Sequence, residues 1–207
     1  MRIIKEHEVR KNEILDAAER LFAAKGFEKA TVNDILVSIN IAKGTFYYYF
    51  ESKEKVLDEI IKRRIDAGVE RALAVASDPN LSPIHKIIAV IMAQKPQNQT
   101  EKEFNPVLHE PSNVLFHHKV FTDLVKSFSP ILSDIVKEGI NQGIFSTSFP
   151  LESMEILLIS GLAIFDDAYF DWSTEEQAAR IPAFLCAMER ILGAKEGSFL
   201  EFAKVLE

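Results

Sequence analysis

Apolar positions recur at helical spacing along most of this chain, and the breaks between stripes fall at capping and turn residues. Ile14, Leu15, Ala18, Leu21 and Phe22 make one stripe, which predicts a first helix over residues 10–25 that stops at Gly26. Residues 1–9 read as a flexible arm. Thr31 is a good N-cap for a short helix carrying Val32, Ile35, Leu36 and Ile39, with Asp34 in its first turn. Asn40 then falls where the chain must turn sharply, and Asn tolerates left-handed backbone. A second short helix is predicted over Lys43 to Phe50, with Phe46 facing inward. Ser52 opens a longer one over Lys53 to Ala76, lined by Val56, Leu57, Ile60, Ile61, Ile65 and Val69. The expected core of this head is Ile14, Ala18, Leu21, Phe22, Phe27, Ile35, Ile39, Phe46 and Phe50.

Beyond Asp78-Pro79-Asn80, Ser82-Pro83 caps a helix predicted to run to about Lys95. Residues 96–106 are the most polar stretch and read as a loop or a short, mobile helix. After Pro111 the apolar pattern runs from Val114 to Ile140, and Pro130 is expected to kink or divide it. Two further helices are predicted, one over Leu151 to Trp172 and one over Thr174 to Leu192 with an interruption near Pro182. Ser198 to Glu207 add a short amphipathic segment. The fold class is therefore all-α: a three-helix head, residues 1–52, then a larger helical part, residues 53–207, with the helix 53–76 linking them.

Two short helices joined by a tight turn form a helix-turn-helix, whose second helix enters a DNA major groove. Here that helix carries one cation and four hydroxyls, from Lys43, Thr45, Tyr47, Tyr48 and Tyr49, and Gly44 lets a neighbour come close. Three consecutive Tyr cover most of a helix circumference, so they cannot all be buried. Tyr also packs at protein interfaces. The position of this run, after the turn and before Ser52-Lys53, favours DNA.

Residues Ile14, Ala17, Ala18, Leu21, Phe22, Gly26, Phe27, Thr31 and Ile35 lead into the run Lys43 to Phe50, with Ser52, Lys53 and Leu57 after it. The segment from Val9 to Ile65 resembles the DNA-binding domain of TetR/AcrR-type transcriptional regulators. It departs from that pattern at Asn40, Leu36 and Ala42, where the family has Gly, a small residue, and Ser or Thr. The resemblance implies a ligand-switched homodimeric repressor that binds double-stranded operator DNA and a small-molecule effector. Thr31, Tyr48 and Lys53 would meet phosphates, and Lys43, Thr45 and Tyr47 base edges. It also implies that the last two long helices pair with those of a second subunit, Gly161 and Ala163 permitting close approach; the alternative, less favoured, is that those stripes serve only an internal core. The effector pocket would lie between Ile88 and Tyr169. Candidate liners are Met92, Phe104, Leu108, Phe116, Phe121, Phe128 and Phe165, with His109, Asn113 and His117 as polar anchors. Fifteen Phe in the chain favour an apolar or aromatic effector.

Charge at first argues against nucleic acid. The total of −7 divides into +2 for residues 1–64 (13 Lys and Arg against 11 Asp and Glu) and −9 for the remainder (11 against 20). Positive charge is thus relatively concentrated in the head. Arg2, Lys5, Arg10 and Lys11 could reach phosphates, whereas Lys62, Arg63 and Arg64 read as a solvated face. No apolar run approaches the ~20 residues that cross a bilayer, the N-terminus lacks a signal-peptide centre, and the lone Cys186 has no internal disulfide partner. A cytoplasmic protein without membrane association or cofactor is expected.

Catalysis finds little support. His109, His117, His118 and Glu110 do not show the i, i+4 or Glu-x-x-His spacing of a helical metal site. Asp166 and Asp167 are adjacent and point to different sides of a helix. The alternatives left open are a helical ligand-binding dimer acting as an activator or through a protein partner, and a helical enzyme.

Overall fold

A computed structural model describes residues 2–94, 99–108, 114–166, 169–200 and 202–203. Side chains are described from His7 onward, except at 100, 101, 105, 106, 108 and 114–116. Among the described residues every regular element is a helix: α1 (Arg2–Lys25), α2 (Val32–Ser38), α3 (Lys43–Tyr49), α4 (Lys53–Ala76), α5 (Pro83–Ala93), α6 (Gln99–Leu108), α7 (Val114–Asn141), α8 (Pro150–Ile164) and α9 (Thr174–Leu192). They form two compact units. The first takes in residues 1–66 and 96–117, the second residues 67–95 and 118–207, so α4 and α7 each contribute to both.

In the first unit α1 starts at Arg2, not near residue 10. No Gly or Pro interrupts Arg2–Lys25, and the His7 ring packs on Tyr49 at 4.6 Å between centroids, so the expected arm is helical. The unit's core is Ile14, Ala17, Ala18, Phe22, Phe27, Ile35, Phe46, Phe50, Val56, Leu57 and Ile60, all buried. Leu21 and Ile39 are only half-buried. The polar stretch before Pro106 forms α6, which lies on α1 and buries Phe104 and Val107. Arg63 and Arg64 are not a solvated face. Arg63 binds Asp16 at 2.7 Å and Glu19 at 2.6 Å, and Arg64 Nε binds Glu19 at 2.8 Å. The buried Glu19 carboxylate on α1 draws both guanidinium groups inward across α4.

In the second unit the two prolines neither divide nor interrupt their helices. Pro130 lies inside α7 and Pro182 inside α9, both on exposed faces. There the lost hydrogen bond and the ring's clash fall on the solvent side, while Phe128, Leu132, Val136 and Ile181, Leu185, Met188 hold the opposite side in the core. Helix α8 ends at Ile164, short of Trp172, with Phe165 N bonded to Gly161 O at 3.1 Å; beyond it the Asp166 carbonyl accepts from Tyr169 N at 3.0 Å and Phe170 N at 3.2 Å. Ser173 and Glu176 then start α9 with reciprocal caps. Gly161 faces Phe184 of α9, whose Cζ would stand 3.1 Å from an added Cβ. The close approach it permits is therefore between α8 and α9 of one chain. Phe199 and Phe202 are buried, Phe199 stacking on Phe145.

Candidate nucleic-acid interface

The turn between α1 and α2 sets up the site. Gly26 takes φ +77, and the chain then reaches Thr31, which caps α2. Thr31 Oγ1 accepts from Asp34 N at 3.1 Å, while Asp34 Oδ2 accepts from Thr31 N and Thr31 Oγ1, both at 2.9 Å. Those bonds, first the Thr31 N–H and then the Lys25 ammonium at 3.0 Å, hold the Asp34 carboxyl at a pKa of about 2 against an ordinary 3.8.

Asn40 takes φ +50 at the turn into α3, the left-handed geometry expected there, and Ile41 N bonds to Leu36 O at 3.0 Å. Helix α3 has no side-chain cap, since Ala42 cannot supply one. Its anchor is Phe46, fully buried, with Phe50 closing its end.

Around that anchor Lys43, Gly44, Tyr47 and Tyr48 face outward, while Tyr49 is half-buried. Tyr47 is 48% exposed and Tyr48 71% exposed. Lys43 is exposed, its ammonium 5.8 Å from the Tyr47 ring centroid, and Thr45 is half-buried. Gly44 is exposed, and an added Cβ there would meet nothing within 4 Å. The fold itself does not require glycine at this position. Lys43, Gly44, Tyr47 and Tyr48 thus share one short, uncovered helix.

Lys53 is placed differently from the phosphate position expected of it. Its Nζ donates to the carbonyls of Phe27 at 2.8 Å, Glu28 at 3.2 Å and Ala30 at 3.1 Å, and lies 4.3 Å from the Phe27 ring centroid. All three ammonium protons have partners within the 27–30 turn.

An uncovered tyrosine-bearing helix set by a left-handed turn and a buried Phe is the reading half of a helix-turn-helix. Residues 14–60 match the family of bacterial regulatory proteins described as tetR, and residues 95–187 match the tetracyclin repressor-like C-terminal domain. Together the two stretches cover about two thirds of the sequence. The chain belongs to the tetR family. As a member it is a DNA-binding transcriptional regulator. It is 28% identical over 148 residues (66% of this chain, 67% of the relative) to the HTH-type transcriptional repressor KstR2 of Mycolicibacterium smegmatis. It is 24% identical over 174 residues (80% and 85%) to the HTH-type regulator YhgD of Bacillus subtilis. Its fold is similar to that of RolR in complex with resorcinol, at TM-score 0.65 and 17% identity, covering 97% of this chain and 95% of the other. The fatty acid degradation regulator FadR from Bacillus halodurans gives TM-score 0.63 at 17% identity, covering 90% and 97%.

The expected effector liners scatter. Phe104 lies in the first unit, fully buried with the Arg64 guanidinium 4.3 Å over its ring, and so serves the packing of α6 there. Phe128 packs in the second unit against Gly68. Phe121 meets Tyr169 edge-on at 5.9 Å, and Phe165 meets Phe184 at 5.6 Å. Met92 on α5 and His117 on α7 are half-buried. His109 and Asn113, and the side chains of Leu108 and Phe116, lie outside the described residues. Sequence reasoning passed over Ser129 and Ser133. Each is 1% exposed on α7, and neither hydroxyl has a hydrogen-bond partner among the described residues. Two serines four apart within an apolar stripe were the available signal.

Proposed function

We propose that this tetR-family regulator is a homodimeric repressor, released from its operator by a small, largely apolar or aromatic effector. The carrying observation is the uncovered face of α3, where Lys43, Gly44, Tyr47 and Tyr48 are all exposed, Tyr48 to 71%. Tyr48 and Thr31 are assigned to phosphates, Lys43, Thr45 and Tyr47 to base edges, and Gly44 to a close backbone approach. Lys53 acts from behind by fixing the turn that ends in Thr31. Two such heads, one per subunit, would read half-sites about 34–36 Å apart.

Dimerisation is supported by apolar side chains left exposed on α8, among them Ile156 and Ile159, and by exposed Ala179, Pro182, Ala183 and Ala187 on α9. A second copy of the same two helices would cover them. The effector is assigned to the second unit, where the Ser129 and Ser133 hydroxyls offer polar anchors within an apolar surround. The repressor name of the KstR2 relative and the aromatic ligand of RolR support the direction and the ligand class. Release requires the effector to prefer the non-binding arrangement. Moving the equilibrium from 1:99 to 99:1 takes about 5.5 kcal/mol of differential affinity. Helix α4, shared by both units, is the element assigned to carry that preference to the head.

The test is a gel shift on the DNA upstream of the protein's own coding region, repeated with small phenolic and aliphatic compounds. Retarded DNA carrying two protomers, released by one compound class, is the expected result. Failure to bind any duplex selected from a random pool would overturn the reading.

A further inference from the structure

Tyr47 and Tyr48 are supported in different ways. The Tyr47 ring stands edge-on to buried Phe46 at 5.3 Å, so the core itself sets its direction. Tyr48, the more exposed of the two, contacts Tyr49 edge-on at 5.0 Å, and the ring of His7 stands 5.7 Å from Tyr48 and 4.6 Å from Tyr49. His7 is there because α1 continues roughly six and a half turns N-terminal to Gly26 and returns to α3.

We infer that His7 is a positioning residue for DNA reading: the first turns of α1 hold Tyr48 and Tyr49 in one ring cluster, so that Tyr48 meets the operator already oriented. This rests on the assignment of Tyr48 to DNA made above. A ring this exposed otherwise samples several rotamers, and binding must freeze them. A side chain held in its bound direction avoids that cost. The contacts are edge-to-face and tilted ring contacts, which depend on a planar group at position 7 rather than on its charge.

The experiment measures affinity for a fluorescent duplex that the wild-type protein selects from a random pool, with helical content and melting temperature recorded for each variant. His7→Ala is expected to weaken binding roughly fivefold, the size of one aromatic edge contact. His7→Phe, which restores a ring, is expected to bind within about twofold of wild type. In a Tyr48→Ala background His7→Ala is expected to change affinity less than about twofold, because its effect passes through Tyr48. If His7→Ala melts early, His7→Leu, with bulk but no ring plane, takes its place and is expected to match its loss. Full affinity in the Ala or Leu variant, no rescue by Phe, or independent losses in the double variant would each overturn the inference. Tyr48→Ala alone tests the underlying assignment. Wild-type affinity there would remove Tyr48 from the DNA surface and this role of His7 with it.

Discussion

Arg64 lies across Glu19, with both Nε and Nη2 on the same carboxylate oxygen, while Arg63 takes the other oxygen at 2.6 Å. Glu19 is buried, and its pairing ties α1 to α4 with α6 stacked above through Phe104. Removing the carboxylate takes away the ionised partner that Arg63 and Arg64 share, and the Arg64 side chain is only 16% exposed. Glu19→Gln is therefore expected to destabilise the protein, by at most about 3–5 kcal/mol. Arg63→Ala is expected to cost less, because Glu19 keeps Arg64 and Asp16 is half-exposed. Urea unfolding of the two variants checks the order. Equal losses would put the weight on Arg63.

Asp34 supplies a pH dependence whose sign follows from its bonds. Its carboxyl is held down to about 2 by the Thr31 N–H and then by Lys25, so the ionised form is favoured in the folded head. The stabilisation is complete above the ordinary value of 3.8 and is lost as pH falls through about 2. Asp34→Asn is expected to melt lower than wild type at neutral pH. The gap should narrow between about pH 4 and about pH 2. A gap that stays constant across that range would mean that the cap does not depend on charge.

Lys53 separates two kinds of contribution to DNA affinity. A lysine on a phosphate releases counterions, and losing it lowers the salt slope by about 1. Here the ammonium is already shared among three carbonyls of the 27–30 turn. Lys53→Met is expected to weaken operator binding and lower the melting temperature while leaving the slope of log K against log salt nearly unchanged. A slope reduced by about 1 would return Lys53 to the phosphates.

Ser129 and Ser133 carry buried hydroxyls with no hydrogen-bond partner among the described residues, an arrangement that costs about 1–3 kcal/mol for each unpaired hydroxyl. Ser129→Ala and Ser133→Ala are expected to leave the effector-free protein as stable or more stable. They are also expected to raise the effector concentration needed for release from DNA. Denaturation midpoints together with release titrations check this. Destabilisation by both, with unchanged release, would make the hydroxyls structural.

What could be read from the sequence was local chemistry. Asn40 announced its left-handed turn because few residue types accept that backbone, and Ser82-Pro83 announced α5 because Ser caps and Pro fits the first helical position. Thr31 with Asp34 did the same for α2. What stayed hidden were partners distant in sequence. Phe104 stands in the most polar stretch of the chain, and nothing nearby in sequence says that Arg64 and α1 cover it. The run Lys62-Arg63-Arg64 looks solvated until Glu19, 44 residues from Arg63, is brought beside it. Pro130 could pass through α7 because its face is exposed, which no window of neighbouring residues reveals. His7 sits in a stretch whose composition says only that it is charged and polar.

Gly44 sets stability against reading. It lies in the first turn of α3, exposed, with ordinary backbone and open space where a Cβ would stand. Alanine has the better helix propensity, by about 0.8–1 kcal/mol in a helix interior, and meets no clash within the protein. Gly44→Ala is therefore expected to raise the stability of the free protein by up to about 1 kcal/mol. In the docking proposed above, the same methyl would occupy the gap through which the α3 backbone approaches the groove. Operator affinity is expected to fall by about tenfold or more, with the salt slope kept because no phosphate contact is lost. Thermal melts and fluorescence titrations of one preparation read both effects. A variant that is more stable and binds as well as wild type would show that the α3 backbone at Gly44 does not come close to DNA. A variant that is less stable would show that glycine serves the fold after all.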